Sequence, residues 1–341
     1  MKLSYLWIAA IALPFIACKK EVQPATQAGS TQQDDYTICT VESWVNNLSS
    51  ESIDHNFYFV IANKFYSVRN IEGNTPGDDV IHIYDGTSWT TIDSDIPLGT
   101  NHKNFSFSIG SKGYAAICFG DPDHANRFYE YNPATNTWTR KADFPGEASS
   151  AFATFTVSGK GYVVGGTDNS DYTNETWEYN PVTNTWRERK NLFLNRAYAV
   201  GFSIGNKGYI TNGNFPNNLG YYKSLVEYDP VANTWTEKAD FPGAGRVFSQ
   251  CFVVGNYAYV GGGMGDQTDY KDFYKYSQVS NTWTRIDNPV ATGFFVTIPG
   301  FSINSKGYAG YAVSGTGPRL AKFNPAVCTT INTGTIAGSG N

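Results

Sequence analysis

The sequence predicts an all-β protein built from repeated four-stranded antiparallel sheets, and three observations carry this prediction. The first is composition: the 341 residues include 23 Tyr, 22 Phe, 8 Trp and 34 Gly, which suits strands joined by tight turns. The second is the charged fraction of 16%, well below the average of about 25%, which argues against a disordered chain or a coiled coil. The third is a repeat with alternating apolar residues.

The repeat is marked by a short segment that ends in Trp. "YNPATNTW" at 131–138 recurs as "YNPVTNTW" at 179–186, "YDPVANTW" at 228–235 and "YSQVSNTW" at 276–283, with a shorter "YDGTSW" at 84–89. The Trp residues stand at positions 89, 138, 186, 235 and 283, at intervals of 49, 48, 49 and 48. A second marker, usually preceded by Lys-Gly, runs in phase with it: Tyr66, Tyr114, Tyr162, Tyr209, Tyr259 and Tyr308. Six units with a period of about 48 residues predict a propeller or a solenoid.

Each unit carries the pattern of four strands. "AFATFTVSGKGYVVGG" predicts two strands around a glycine turn, and "TWEYNPVTNTWRER" predicts two more around an Asn-Pro turn. Four antiparallel strands form one blade of a propeller. We therefore expect six blades.

The units resemble the kelch repeat. The resemblance lies in a Gly pair after the second strand (Gly165-Gly166, Gly261-Gly262), then a Tyr, then a Trp about seven residues later. It covers roughly Trp44 to Thr330 and implies a six-bladed β-propeller. Some units replace the Gly pair, for example with Asn212-Gly213 or Val68-Arg69, so we expect those loops to depart from the usual course.

The sixth blade needs a strand from outside its own unit, because Thr330 occupies its Trp register. Trp44 lies 45 residues before Trp89. We expect an N-terminal strand starting at Trp44 to be the outer strand of the blade whose first three strands come from Ser302 to Phe323. In the alternative, residues Thr329 to Ile336 form that outer strand.

The N-terminus resembles a bacterial lipoprotein signal. Residues 1–17 hold a charged start and an apolar run too short to span a bilayer comfortably, followed by Cys18. The resemblance implies cleavage before Cys18, lipidation of Cys18, and a lipid anchor in the outer membrane, periplasmic or surface-exposed. Residues 18–35 are polar and predict a flexible tether, and 36–341 the propeller. The alternative is an ordinary secretory signal with a chance Cys.

Loop variation locates the expected functional surface. The loops that join second to third strands, and fourth to next first strands, share one face of a propeller. In this sequence they vary in length and chemistry, whereas the turns of the opposite face repeat almost unchanged. Binding residues concentrate on loops free of scaffold duty, so we expect a binding site on the varied face.

Two arginines and several aromatic residues are the candidate ligand-binding residues of that face. Arg196 and Arg246 each precede their unit's marker Tyr by 13 residues, and a pair of arginines suits a carboxylate or phosphate. Alternatively, neighbouring Asp or carbonyl groups neutralise them as part of the scaffold. Loop aromatics suit stacking on sugar rings or plain loop packing: Tyr172, Phe215, Tyr221, Tyr222 and Tyr270.

Other chemistry has little support in the sequence. The four histidines (His55, His82, His102, His124) show no metal-like spacing, and His82 alternates with Tyr84 as a structural strand residue would. The acidic loops 121–123 and 168–175 do not match a calcium loop. We expect no metal and no cofactor. The net charge of −5 without a basic stripe also argues against nucleic acid as a partner.

Two functions from different classes follow. We expect a monomeric, membrane-anchored binding module for glycan or protein, rather than an enzyme. The alternative is a carbohydrate-active enzyme, since bacterial N-acetylneuraminate epimerases are also exported six-bladed kelch proteins. In that case Arg196 and Arg246 would hold a sugar carboxylate. A purely structural role in a surface assembly is the third possibility.

The cysteines predict one disulfide bond. Cys118 and Cys251 lie in apolar strand-like runs and are expected in the core, whereas Cys39 and Cys328 flank the expected seam of the propeller. A bond between Cys39 and Cys328 would stabilise the closure by about 5 kcal/mol at most. Intact mass with and without reductant measures it, and two free thiols at these positions would contradict the prediction.

Overall fold

The computed structural model describes residues 36–39, 42–49, 57–69, 79–97, 104–117, 126–147, 150–168, 171–216, 220–266, 268–289, 294–295, 300–312, 318–326 and 328–331. Two strands precede the repeats, β1 (Tyr36–Cys39) and β2 (Ser43–Ser49). No helix within these ranges is long and apolar enough to cross a membrane.

The first three blades are four-stranded antiparallel sheets in chain order. Blade 1 holds β3 (Phe57–Ile61), β4 (Lys64–Arg69), β5 (Val80–Tyr84) and β6 (Trp89–Asp93). Blade 2 holds β7 (Asn104–Ile109), β8 (Lys112–Ile117), β9 (Arg127–Asn132) and β10 (Thr137–Arg140). Blade 3 holds β11 (Ala153–Val157), β12 (Lys160–Val164), β13 (Thr176–Asn180) and β14 (Thr185–Glu188).

The last three blades follow the same plan with two additions. Blade 4 holds β15 (Val200–Ile204), β16 (Lys207–Thr211), β17 (Leu225–Asp229) and β18 (Thr234–Lys238). Blade 5 holds β19 (Gln250–Val254), β20 (Tyr257–Gly261), β23 (Phe273–Ser277) and β24 (Thr282–Ile286), with a hairpin of β21 (Met264–Gly265) and β22 (Thr268–Asp269). Blade 6 holds β25 (Phe294–Phe295), β26 (Phe301–Ile303), β27 (Lys306–Ala312), β28 (Pro318–Asn324) and the N-terminal strand β2.

The blades close into a ring around their first strands. Each first strand lies against the first strand of the next blade, from β3 through β7, β11, β15 and β19 to β26, and β26 lies against β3. The first strands are therefore innermost, and the strands that carry the repeated Trp lie at the outer edges. The predicted six-bladed propeller is confirmed.

The N-terminal strand completes the sixth blade. Strand β2 pairs antiparallel with β28, and Trp44 lies opposite Phe323. Glu42, just before β2, accepts a hydrogen bond from Lys275 at 2.7 Å, which ties the N-terminal segment to blade 5 as well. The predicted closure at Trp44 is confirmed. The alternative is wrong for the described residues Thr329–Ile331, because β29 (Cys328–Ile331) pairs with β1.

The chain divides into two units by its contacts. One unit comprises Cys39–Val327 and contains the propeller, and the other comprises Met1–Ile38 with Cys328–Asn341. The side chains of Cys39 and Cys328, residues 1–35 and Cys118 lie outside the described part, so the predicted disulfide and lipidation stay predictions. Cys251 is buried and free, as expected of a core thiol, and burial raises its pKa.

In blades 3, 4 and 5 the Trp marker joins its blade to the preceding one through a set of hydrogen bonds that we call the clasp. The indole N–H of Trp186 donates to the Ala142 carbonyl at 2.9 Å, and the Asn184 side chain accepts from the Ala142 amide at 2.9 Å. Asn184 adopts φ 53° in its turn and also accepts from the Tyr179 hydroxyl at 2.9 Å. The same three bonds recur between blades 3 and 4 and between blades 4 and 5, where they centre on Trp235 with Asn233 and on Trp283 with Asn281.

The Tyr marker is a buried anchor of each blade. Tyr162 is fully buried, and its hydroxyl donates to Glu178 at 2.8 Å. Glu178 in turn pairs with Lys160 at 2.6 Å. Burial and the hydrogen bond to Glu178 raise the pKa of Tyr162. Blade 5 has Lys275 at the position that Glu178 occupies in blade 3. There Glu42, from outside the repeat, supplies the carboxylate that accepts from Tyr259 and Lys275.

The glycine before the marker Tyr makes room for the preceding blade. It lies in the second strand, and a Cβ built on Gly161 would stand 2.3 Å from the ring of Phe107. Gly113, Gly208 and Gly307 meet Phe59, Phe155 and Phe252 in the same way. The glycine is therefore a packing requirement between blades, in addition to the turn glycine Gly159 at φ 72°.

Substitution at this contact tests the packing. We expect Gly161→Val to lower the free energy of unfolding by about 1–3 kcal/mol, because the added methyl groups overpack the Phe107 contact. Equilibrium denaturation of the full-length protein measures it. Adding Phe107→Ala should make the double variant lose less than the sum of the two single losses, because the two side chains are in contact.

Ala258→Gly is the matched control for this prediction. Ala258 occupies the same register in blade 5, where the core already accommodates a Cβ. Its replacement should cost only about 0.5–1 kcal/mol, the ordinary penalty of a strand glycine. Equal stability of Gly161→Val and the unmodified protein would contradict the packing argument.

Candidate functional site

The varied loops of blades 3, 4 and 5 form the best described part of the surface where binding is expected, and we call it the loop face. Its described residues lie within 165–175 and 189–199, 212–224 and 239–249, and 262–272. On the opposite face the repeated turns are engaged in the Trp and Asn clasp. The loop face is the part of the propeller that differs from blade to blade.

The Gly pair allows the next blade's loop to cross closely. Gly166 donates to the Arg196 carbonyl at 2.9 Å, and a Cβ on Gly165 would stand 2.3 Å from that oxygen. In blade 4, Asn212 adopts φ 61° and Gly213 donates to the Arg246 carbonyl at 2.8 Å. The departure expected at Asn212-Gly213 is therefore wrong, since Asn tolerates the left-handed backbone. The loop after Val68-Arg69, at 70–78, lies outside the described residues.

Arg246 is held entirely by protein groups. Its side chain is buried and forms a two-pronged ion pair with Asp272, at 2.7 and 3.0 Å. Two further N–H groups donate to the carbonyls of Ala244 and Gly262 at 2.8 and 3.0 Å. The Tyr270 ring covers the guanidinium, with 4.1 Å from Cζ to the ring centroid. Ligand binding at Arg246 would have to displace Asp272.

Arg196 has a different environment although its register is the same. It is 4% exposed, and its guanidinium donates to the Ser224 hydroxyl at 2.6 Å and to the Ser224 carbonyl at 3.3 Å. Its Nε has no hydrogen-bond partner. The Tyr222 ring covers the guanidinium, with 4.2 Å from Cζ to the ring centroid. Burial lowers the pKa of Arg196 to about 10, against the opposing charges of Tyr222 and Asp240.

One position explains the difference between the two arginines. The residue just before the third strand is Asp272 in blade 5 and Ser224 in blade 4. A carboxylate neutralises Arg246, whereas a hydroxyl and a carbonyl only hydrogen-bond to Arg196. Blade 3 has Glu175 at this position, where it accepts from the Trp177 indole at 3.0 Å. Sequence reasoning missed this position, although its register relative to the third strand was readable.

The predicted stacking residues divide into buried supports and partly exposed rings. Tyr222 is buried, donates its hydroxyl to the Asn195 carbonyl at 3.1 Å, and packs edge-on against Phe215. Tyr270 covers Arg246, and the Tyr221 hydroxyl accepts from the Asp266 amide at 3.3 Å. Tyr172 is half-buried, and its hydroxyl accepts from the Asn214 side chain at 2.8 Å. Tyr222 and Tyr270 therefore support the arginines, while Tyr172 faces a polar group.

Two aromatic residues that the sequence reasoning did not single out lie in the same loops as the arginines. Tyr198 and Phe248 follow Arg196 and Arg246 by two residues, and their rings meet edge to face with centroids 5.1 Å apart. Phe248 is 42% exposed. Both take left-handed backbone angles, φ 57° and 56°. Their shared register after the arginines was the sequence signal that could have found them.

The described residues offer no cluster of three or more His, Cys, Asp or Glu side chains for a metal ion. His82 is buried and its Nδ1 lies 2.7 Å from the Thr91 hydroxyl, as expected of a structural residue. Asp168 accepts from the Asp171 amide at 2.9 Å. His55, His102, His124 and residues 121–123 lie outside the described ranges.

Removal of Asp272 tests the structural role of the ion pair. Asp272→Ala would leave Arg246 buried without its counter-charge, so we expect the free energy of unfolding to fall by about 3–5 kcal/mol. Ser224→Ala, the matched change beside Arg196, should cost about 0.5–1.5 kcal/mol because only a neutral hydrogen-bond partner is lost. Equilibrium denaturation measures both variants. Equal losses in the free energy of unfolding would contradict the conclusion that Asp272 neutralises Arg246.

The same pair predicts a pH dependence of stability. Burial raises the pKa of Asp272, but the hydrogen bonds and charge of Arg246 outweigh it and leave the pKa lowered. A lowered pKa in the folded state stabilises the protein above the unfolded value of about 3.9, and this contribution disappears as the pH falls further. We expect the stability gap between the unmodified protein and Asp272→Asn to be constant from pH 7 to 5 and to narrow below about pH 4.

Comparisons with known proteins agree with this architecture. Residues 149–192 match the family model described as "Kelch motif", and a search of curated proteins found no match. Among solved structures, the chain is similar to one titled "Structure of YjhT", with a TM-score of 0.65 and 15% identity over 83% of this chain and 99% of that chain. At that identity the similarity shows the fold alone. The chain is a six-bladed β-propeller that carries a Kelch motif.

Proposed function

We propose that this protein is a binding module of the cell envelope that takes a glycan or protein ligand on its loop face. The observation that carries the proposal is the contrast between the two faces. The repeated turns of the opposite face are used in bonds between blades, whereas the loop face presents side chains that differ between blades. Scaffolds with one regular and one varied face concentrate recognition on the varied one.

Exposed apolar and polar side chains on the loop face support its role in binding a ligand. The loop between blades 3 and 4 presents Phe193 and Leu194 at 53% and 56% exposure, next to the exposed Asn195. Apolar side chains of this size beside hydrogen-bonding groups are typical of binding surfaces.

The arginine environments favour the binding module over the carbohydrate-active enzyme. A sugar carboxylate held by two arginines needs both guanidinium groups, but Asp272 already occupies that of Arg246. The candidate acids beside the arginines are also engaged, since Asp272 binds Arg246 and Glu175 accepts from Trp177. An epimerase or mutarotase would have to release these bonds before its chemistry could begin.

The anchor is part of the same proposal. Cys18 as the lipidated first residue, with residues 18–35 as a tether, would hold the propeller at the outer membrane. Three acyl chains would hold it stably, whereas one would not. Labelling with a palmitate analogue tests this: Cys18→Ser should lose the label and the membrane fractionation, and Cys251→Ser should keep both.

A glycan array with the full-length protein tests the binding module. We expect retention on at least one glycan class, and loss of that signal in the loop-face variant Phe193→Ala/Leu194→Ala. The control is Val182→Ala/Val231→Ala, which removes side chains 91% and 90% exposed in turns of the opposite face. Equal loss in both variants would contradict a loop-face site. Catalysed anomer exchange on N-acetylneuraminate would instead establish the enzyme.

A further inference from the structure

Tyr198 and Phe248 occupy a position where the backbone disfavours aromatic residues. Both have φ near +57°, a left-handed conformation in which the Cβ of an L-residue crowds the following carbonyl oxygen. Blade 3 has Ala151 at the same register with φ 60°. Propeller packing therefore requires the backbone angle but not an aromatic side chain.

The two rings are placed beside each other at the surface. They belong to the loops that enter the innermost strands of blades 4 and 5, and their centroids are 5.1 Å apart with the planes at 68°. Phe248 is 42% exposed, and Tyr198 is half-buried. A bulky residue in a strained conformation whose ring stays partly exposed gains little from burial, which points to a role in recognition.

Polar groups from loops of blades 3 and 4 lie beside Tyr198. The Tyr172 hydroxyl accepts from the Asn214 side chain at 2.8 Å, and Asn214 pairs through its backbone with Ala197, the neighbour of Tyr198. Burial and the nearby Tyr172 raise the pKa of Tyr198, so its phenol keeps its proton at neutral pH. The arrangement combines apolar ring surface with the Tyr172 hydroxyl, which the buried Asn214 side chain positions.

The arginines that precede the two rings by two residues are withdrawn from the surface. Arg196 and Arg246 are 4% and 0% exposed, and aromatic rings cover both guanidinium groups. A carboxylate or sulfate on a ligand would therefore meet neither arginine without rearrangement of the loops. The chemistry that remains at this place suits an uncharged ligand.

We infer that the paired rings of Tyr198 and Phe248 form an aromatic platform for an uncharged pyranose ring, whose rim hydroxyls bond to the Tyr172 hydroxyl. The axial C–H face of a pyranose is apolar and fits against aromatic rings, while its rim of hydroxyls needs hydrogen-bonding groups such as a phenol. This inference rests on the proposed function and names the ligand class of the same loop face.

Glycine substitution separates recognition from structure at these positions. Phe248→Gly and Tyr198→Gly remove the rings, and glycine adopts the left-handed backbone without strain. On an array of neutral and acidic glycans, we expect at least a tenfold weaker signal for neutral glycans. The melting temperature should stay unchanged or rise, whereas a purely structural role of the rings would lower it.

Tyr257→Ala is the matched control. Tyr257 is also 42% exposed, but it begins β20 next to a turn of the opposite face, so glycan binding should persist in this variant. Neutral glycans bound equally by the unmodified protein and both glycine variants would overturn the platform and leave the binding module intact. Binding of acidic glycans alone would overturn the ligand class, and no glycan binding at all would overturn the inference and limit the proposed function to protein ligands.

Discussion

The fold depends on the contact between neighbouring blades. In blades 3 to 5 the repeated Trp and Asn bind the backbone just after the preceding blade's fourth strand, as Trp186 and Asn184 do at Ala142, while Phe rings of one blade fill the space above strand glycines of the next. No blade buries its own faces, so the sheets are stable only as a closed ring. This is why the sixth blade takes its outer strand from the N-terminus and why Glu42 supplies the acid that Lys275 needs.

This arrangement assigns the two faces of the propeller different physical roles. Turns of the opposite face are used in the clasps, so their sequences repeat. The loop face contributes backbone groups to the clasps, at Lys190 and Ala239, and to close crossings such as Gly166 to Arg196, and its side chains differ between blades. The two arginines illustrate this freedom, since one residue before the third strand decides whether the buried cation meets a carboxylate, Asp272, or a hydroxyl, Ser224.

Periodic features were predictable because every blade repeats the same contacts. The six blades, the four strands and the closure at Trp44 all follow from markers that recur at a fixed interval, and His82 and Cys251 follow from their place on strands. The candidate site was less predictable, because it depends on pairs of residues from different blades. Arg196 and Arg246 look equivalent in the chain, but their partners lie 28 and 26 residues away in loops of different length.

The sequence by itself therefore determined the architecture, since a period of about 48 residues permits few ways to bury every sheet. Tertiary structure alone decided the character of the loop face. It buried both arginines beneath Tyr222 and Tyr270, and it brought Tyr198 and Phe248 together although 50 residues separate them in the chain. The physical reason is that spacing along a repeat records which positions are equivalent, whereas the surroundings of a side chain depend on which neighbouring loop crosses it.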